Sequence, residues 1–104
     1  MLDPMTAQSH PEVVWSGPSG NPAELRDAGV DPAVSDVESL LPGPVLVTLS
    51  GTGSGMLAAA SVYAWLGVAA FKTEGDPAEL RQVLDMVASI KGDRPPAVGR
   101  RALA

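Results

Sequence analysis

Residues 42–73 read PGPVLVTLSGTGSGMLAAASVYAWLGVAAFKT, and this stretch decides the fold. Val45–Leu49 is a continuous apolar run, which is typical of a strand that is covered on both faces of a parallel sheet. A glycine-rich loop, Ser50–Gly55, leads into an alanine-rich helix over Met56–Leu66, and Val68–Phe71 forms a second apolar strand. Two such strands joined through a helix predict a right-handed βαβ unit.

Pairs of Asn or Asp with Pro predict where the other helices begin. Asn and Asp cap helix N-termini well, and Pro is suited to the first helical position. Three such pairs, which begin at Asn21, Asp31 and Asp76, predict helices over Pro22–Ala28, Pro32–Leu41 and Pro77–Lys91. The last helix has apolar residues at i, i+3, i+4 and i+7 spacing, and Gly92 follows its end as a stop signal.

The short apolar run Val13–Trp15 completes the pattern as a further strand. The chain is therefore predicted to be an α/β protein of about three βα units around a short parallel sheet. We predict a flexible N-terminal tail over residues 1–11, a single α/β domain over 12–92 and an extended C-terminal tail over 93–104.

Composition excludes several classes of function. The 104 residues include 7 Lys and Arg against 12 Asp and Glu, a net charge of −5, which argues against nucleic acid as a partner. There is no Cys, so disulfides, thiolate metal sites and Cys nucleophiles are excluded. The only histidine is His10, which argues against a Ser-His-Asp triad and a multi-histidine metal site. We predict no catalytic residue, no metal site and no cofactor.

The uncharged stretch from Val45 to Phe71 is long enough to span a bilayer. The glycine-rich loop in its middle argues against a span, because its backbone groups would lack partners in lipid. The N-terminus has neither the basic nor the apolar region of a secretory signal. We expect a cytoplasmic protein without a membrane partner.

The glycine-rich loop is the candidate ligand site. A loop that follows a buried strand and precedes a helix can present backbone N–H groups to an anion. Lys72 ends the neighbouring strand, and ligands of parallel α/β proteins bind beyond the carboxyl ends of strands. The predicted ligands of a small anion are Ser50, Gly51, Thr52, Gly53, Ser54 and Lys72. The loop matches neither a Walker A motif nor a full dinucleotide fingerprint. The alternative is a plain strand-to-helix turn with a solvated lysine.

The order of these elements resembles the C-terminal end of bacterial dihydropteroate synthases. The resemblance rests on Pro44–Ser50, the alanine-rich helix, Val68–Thr73 and the helix Leu80–Lys91, and it covers about residues 44–98. That family is a (β/α)8 barrel of folate biosynthesis, which joins a pterin pyrophosphate to p-aminobenzoate with Mg²⁺ and no redox cofactor. The resemblance implies a partial barrel and a pterin-binding ancestry.

The family's functional motifs are changed in this chain. Where the family has a Ser-Arg-Lys loop, Ser50 is followed by Gly51 and Thr52; where the family has Arg-x-His, the chain has Lys72 and then Glu74. The resemblance therefore implies a fragment without independent catalysis, which binds a phosphorylated or anionic ligand. The resemblance implies Mg²⁺ binding and transferase activity only for a complex of this chain with a complementing chain.

The alternative function is a small accessory protein that docks on a larger partner. Three βα units form an open sheet, and we predict an unpaired edge beside Val45–Leu49. The helix Met56–Leu66 is apolar nearly all round, which is typical of a helix that is covered on more than one side. We therefore expect a homo-oligomer or a complex with a protein partner.

Overall fold

The structure, a computed structural model, describes residues 13–92. In that range it has four strands and three α-helices. Their order is β1 (Val14–Trp15), β2 (Arg26–Val30), α1 (Val34–Leu40), β3 (Val45–Leu49), α2 (Gly53–Leu66), β4 (Ala70–Thr73) and α3 (Pro77–Lys91), with a short 3-10 helix, Pro22–Glu24, before β2. The predicted tails, residues 1–11 and 93–104, lie outside the described residues.

The four strands form one open sheet in the order β1-β4-β3-β2. β2, β3 and β4 are parallel to one another, and β1 pairs antiparallel with β4. Each parallel pair is joined through a helix, as parallel strands require. The prediction of an α/β fold with about three βα units is thus confirmed, and the sheet does not close into a barrel.

The first βα unit differs from the prediction. The predicted helix Pro22–Ala28 is wrong: only Pro22–Glu24 is helical, and the chain then forms β2, in which the Arg26 N–H donates to the Pro44 carbonyl at 2.8 Å. Helix signals are weak preferences, and pairing with the edge of β3 overrides them here. Val14–Trp15 is a strand, but as an antiparallel edge it does not begin a βα unit.

The remaining elements follow the sequence closely. β3 has its predicted bounds, and α3 begins after the Asp76 cap and ends at Gly92, which adopts φ 87°. By contrast, α1 begins at Val34 and not at Pro32, and α2 begins at Gly53, before the predicted Met56. β4 lies two residues later than predicted, over Ala70–Thr73.

All three helices pack on one face of the sheet. Alternate residues of β3, together with Phe71 of β4, form a single buried cluster with residues of α1, α2 and α3. Val47 and Phe71 are fully buried in it. The hydrophobic core is therefore a layer between the sheet and the helices, and it holds the helices in fixed positions.

None of the three α-helices packs on the opposite face of the sheet, but part of that face is covered. Leu46 and Ala70, neighbours in the β3–β4 register, are buried there although they do not belong to the core cluster. The connection over residues 16–25 runs from β1 at one sheet edge to β2 at the other, and Gly20 lies against the Trp15 ring. Since the helices occupy the other face, we infer that this connection is the segment that covers Leu46 and Ala70.

The expected open edge beside Val45–Leu49 is wrong. β3 pairs with β2 on one side and with β4 on the other, so the most apolar strand lies inside the sheet. The edges are β1, which has two residues, and β2. A parallel sheet places its most apolar strand in the centre, where both faces are covered.

No helix within residues 13–92 is long and apolar enough to cross a bilayer.

Candidate functional site

The carboxyl ends of the three parallel strands lie side by side at one end of the sheet. We call this end the upper edge, as distinct from the edge strands β1 and β2. There the structure brings together Asp31, which follows β2, and Ser50, which follows β3. The Ser50 hydroxyl donates a hydrogen bond to the Asp31 carboxylate, and the Ser50 N–H donates to Asp31 Oδ1 at 3.1 Å. The Asp31 N–H in turn donates to the Thr48 carbonyl at 2.9 Å. The two strand ends are thus tied together.

The backbone at this junction is unusual. Asp31 has a φ of 45°, a left-handed conformation that Asp tolerates better than most residues with a side chain. The Tyr63 hydroxyl of α2 donates to the carbonyl of Pro32, the next residue, at 2.7 Å. Contacts from β3 and from α2 therefore fix the turn between β2 and α1.

The electrostatics of the junction follow from these contacts. The Ser50 hydroxyl, and after it the Ser50 N–H, lower the pKa of the Asp31 carboxyl below its ordinary value of 3.8. Burial raises the pKa of Tyr63 above 10.0, and the negative charge of Asp31 raises it further. Asp31 is consequently charged and Tyr63 protonated at neutral pH, which is the arrangement that their hydrogen bonds need.

The predicted anion ligands lie at this same edge, but Ser50 already holds a carboxylate. Gly51 and Gly53 have φ values of 75° and 77°, and Thr52 is the N-cap of α2 without a hydrogen bond from its side chain to the helix. Residues 51–55 are exposed. In this loop the Ser50 N–H already binds an anionic group, which is the carboxylate of the chain's own Asp31.

Lys72 lies on the face of the sheet that has no helices. Its register partner is Thr48 on β3, and both residues are half-buried. Ser50 follows Thr48 by two residues, so the lysine and the loop share the upper edge, as the sequence predicts. A side chain at Gly75 would meet Met56 and Thr52, so the loop after β4 also lies against the glycine-rich loop.

Replacing Ser50 by alanine should raise the pKa of Asp31 toward 3.8, because it removes the hydroxyl that lowers this pKa most. Since the folded-state pKa is depressed, the contact stabilises the fold above pH 3.8, and its contribution disappears as the pH falls through the folded-state pKa. Carboxyl NMR titration of Asp31 in both proteins measures the effect. An identical pKa in the two proteins would mean that the Ser50 contact does not exist in solution.

The sequence did not single out Asp31 as a site residue. Its Asp-Pro pair predicts a helix cap, but the N-cap of α1 is Ala33, and the Asp31 side chain bonds to Ser50 instead. The contact spans 19 positions in the chain. Asp31 can be identified as a site residue only if β2 is recognised as a strand beside β3. Asp31 then follows the end of β2, next to the end of β3 where Ser50 lies.

A cleft of about 570 Å³ lies at the opposite, lower end of the molecule, between α3, the end of α2 and residues 16–18. Its cations bind backbone carbonyls: Arg81 donates to Trp15 at 3.1 Å and Lys91 to Ala64 at 3.4 Å. Two of its apolar wall residues, Val68 and Leu84, are about 99% buried in the core. The cleft therefore combines core residues with cations that already bind the backbone, and we assign it no ligand.

The outer side of the helix layer exposes large apolar side chains. Val62 and Trp65 on α2 are 53% and 55% exposed, and Met86 and Ile90 on α3 are 56% and 67% exposed. The Lys91 ammonium lies 6.0 Å from the centroid of the Trp65 ring, which places the end of α3 beside Trp65. We call these four residues the outer helical surface.

Comparison with protein-family models, curated proteins and solved structures found no match to this chain.

Proposed function

We propose that this chain is a non-catalytic interaction protein that docks through the outer helical surface on a partner with an uncharged apolar face. The observation that carries the proposal is the nature of α2. Its 14 residues include no charged side chain, and yet one side of the helix is exposed. An α-helix that is apolar all round is normally buried on more than one side.

The exposed residues of α2 form one stripe. Ala58, Val62 and Trp65 are spaced by four and three positions, which places them on the same side of a helix. Met86 and Ile90 are likewise one turn apart on α3, and Ile90 precedes Lys91, whose ammonium lies over the Trp65 ring. Several large apolar side chains exposed on the outer side of neighbouring helices are a usual mark of an interaction site.

The polar groups at the upper edge support a structural role more than a catalytic one. Ser50 donates two hydrogen bonds to the Asp31 carboxylate, and the Tyr63 hydroxyl donates one to the Pro32 carbonyl. Each contact joins two elements of the fold. We therefore propose no independent condensation of a pterin pyrophosphate with p-aminobenzoate. The chain contains no Cys, and we propose the cytoplasm, where structural disulfides are rare, as its compartment.

The docking surface can be tested in cells that express the chain with a photo-crosslinking amino acid in place of Ala58. The test does not require the identity of the partner, because the crosslinker reacts with any protein that contacts this position. Ala58 is exposed on the same stripe as Val62 and Trp65. We expect an ultraviolet-dependent adduct at this position. The control is the same amino acid at Ser19, which is exposed in the connection between β1 and β2. Equal labelling at both positions would contradict the proposal.

Binding of a small anion at the upper edge is the second candidate function. It is favoured by the N-terminus of α2, where Thr52 makes no capping hydrogen bond from its side chain, and by Lys72 at the same edge. Helix N-termini attract anions through free N–H groups and the helix dipole. The Asp31 carboxylate beside Ser50 opposes a second negative charge, so we place this function after docking.

Phosphate at millimolar concentration should raise the melting temperature if the anion site exists, because a ligand that binds only the folded state stabilises it. Lys72→Ala should abolish the rise, whereas Lys91→Ala, at the lower end of the molecule, should preserve it. Thermal unfolding with and without phosphate measures both effects. If phosphate does not raise the melting temperature of the unaltered protein, the loop is a plain strand-to-helix turn and not an anion site.

A further inference from the structure

We propose that the partner on the outer helical surface is a second copy of this chain, with the two α2 helices facing each other across a two-fold axis. This inference rests on the proposed function, since it names the partner of the same surface. In such a dimer the same patch is used by both copies, so the patch must be complementary to itself.

The charge distribution favours a second copy as partner. None of the four residues of the outer helical surface is charged, and α2 contributes no charged side chain. The cation beside the patch, Lys91, lies over the Trp65 ring and donates to the Ala64 carbonyl within its own chain. An uncharged patch can meet its own copy without repulsion, whereas partners chosen by charge need opposite charges on the two faces.

The size of the patch is sufficient for a dimer. The four side chains expose on the order of 400 Å² of apolar area. A standard interface buries about 800 Å² on each partner, of which a little over half, or roughly 450 Å², is apolar. The outer helical surface thus supplies most of the apolar part of one such interface, and polar residues around it would supply the rim.

The shape of α2 also suits a contact between two helices. Its 14 residues give a length of roughly 21 Å. Ala58 lies on the exposed stripe, and a small residue there lets two helices approach to the usual separation of about 8–10 Å. Val62 and Trp65, next along the stripe, then supply the larger side chains that fill the contact.

The edges of the sheet are poorer routes to self-association. β1 offers two residues only. β2 is five residues long, but it contains the charged Arg26 and Asp27, and its pairing with β3 is irregular between Asp27 and Val30. Short strands, charges and irregularities are the features by which natural sheet edges avoid pairing with other chains. The helix layer is therefore the side through which two copies would meet.

Sedimentation of the purified full chain tests the inference. At a concentration of about 100 µM, well above the Kd of a micromolar complex, we expect twice the chain mass of 10.6 kDa. The double variant Trp65→Gln with Ile90→Gln should weaken the association about 100-fold or more, because central apolar residues dominate interface energies. Both residues are more than half exposed in the single chain, so circular dichroism should show an unchanged fold.

The matched control is Val30→Gln, which changes a residue that is 62% exposed but lies on β2, away from the helix layer. It should leave the dimer intact. A double variant that remains dimeric would overturn the inference. A purified chain of single mass would also overturn it, while a crosslink at Ala58 in cells would then still support docking on a different protein.

Discussion

Replacing Val47 by aspartate will unfold the protein, whereas the same change at Thr48, the next residue, will leave it folded. Val47 is fully buried between the sheet and the helices, and no cation lies within the core cluster to pair with a new charge. Burying an unpaired carboxylate costs about 5 kcal/mol or more, which is comparable to the whole stability of a domain of this size. Circular dichroism and thermal unfolding measure the loss.

Thr48 is the matched control because its side chain points to the other face of the sheet. It is half-buried, and Lys72 is its register partner on β4. An aspartate at this position has a register partner of opposite charge on the neighbouring parallel strand, and opposite charges at short distance attract each other. If Thr48→Asp also unfolded the chain, or if Val47→Asp did not, the assignment of the helices to one face would be wrong.

The second large effect concerns Phe71, which is the largest fully buried side chain in residues 13–92. Phe71→Ala should lower the free energy of unfolding by about 3–5 kcal/mol, since it removes apolar contacts and leaves a cavity between the sheet and the helices. Urea unfolding followed by circular dichroism measures the change. A loss below about 1 kcal/mol, the range of ordinary substitutions, would contradict the core described here.

Met86→Ala is the companion variant, because it separates the core from the outer helical surface. Met86 is 56% exposed in the single chain, so its replacement should change the unfolding of that chain by about 0.5 kcal/mol or less. It should nevertheless weaken dimerisation. A residue that matters for assembly and hardly for folding behaves as an interface residue, whereas Phe71 behaves as a core residue.

Elements with strong local signals could be predicted from the sequence. β3 is recognisable because five consecutive apolar or β-branched residues follow a Pro-Gly-Pro turn. α3 is recognisable because its apolar stripe lies between an Asp-Pro start and a Gly stop, both of which the structure uses as caps. In these cases local preference and tertiary packing agree, and such agreement is what makes a segment predictable.

β2 could not be predicted, because its residues carry no strand signal of their own. Arg26–Val30 reads RDAGV, and only its pairing with β3 makes it a strand. The Asp31–Ser50 contact was missed for the same reason, since it depends on β2 lying beside β3. Long-range pairing is the information that a single sequence does not display, and here it creates both a strand and the polar junction at its end.

The resemblance to the C-terminal end of a (β/α)8 barrel remains a proposal about ancestry. β2, β3 and β4 are parallel and in sequential order, as in a piece of such a barrel, whereas the antiparallel β1 has no counterpart in a barrel of eight parallel strands. A two-layer α/β sheet has this arrangement too, so the architecture by itself assigns no activity. The exposed apolar side of α2 is a feature of this chain that a function must account for.

A single cysteine at Ala58 gives the most direct test of the central claim that the outer helical surface binds a second copy. The chain has no cysteine of its own, so a bifunctional thiol crosslinker can join only the introduced residues. We expect Ala58→Cys to form a covalent dimer rapidly at micromolar concentration, and Ser19→Cys to form none above the level of random collision. Equal and slow crosslinking of both variants would contradict the claim.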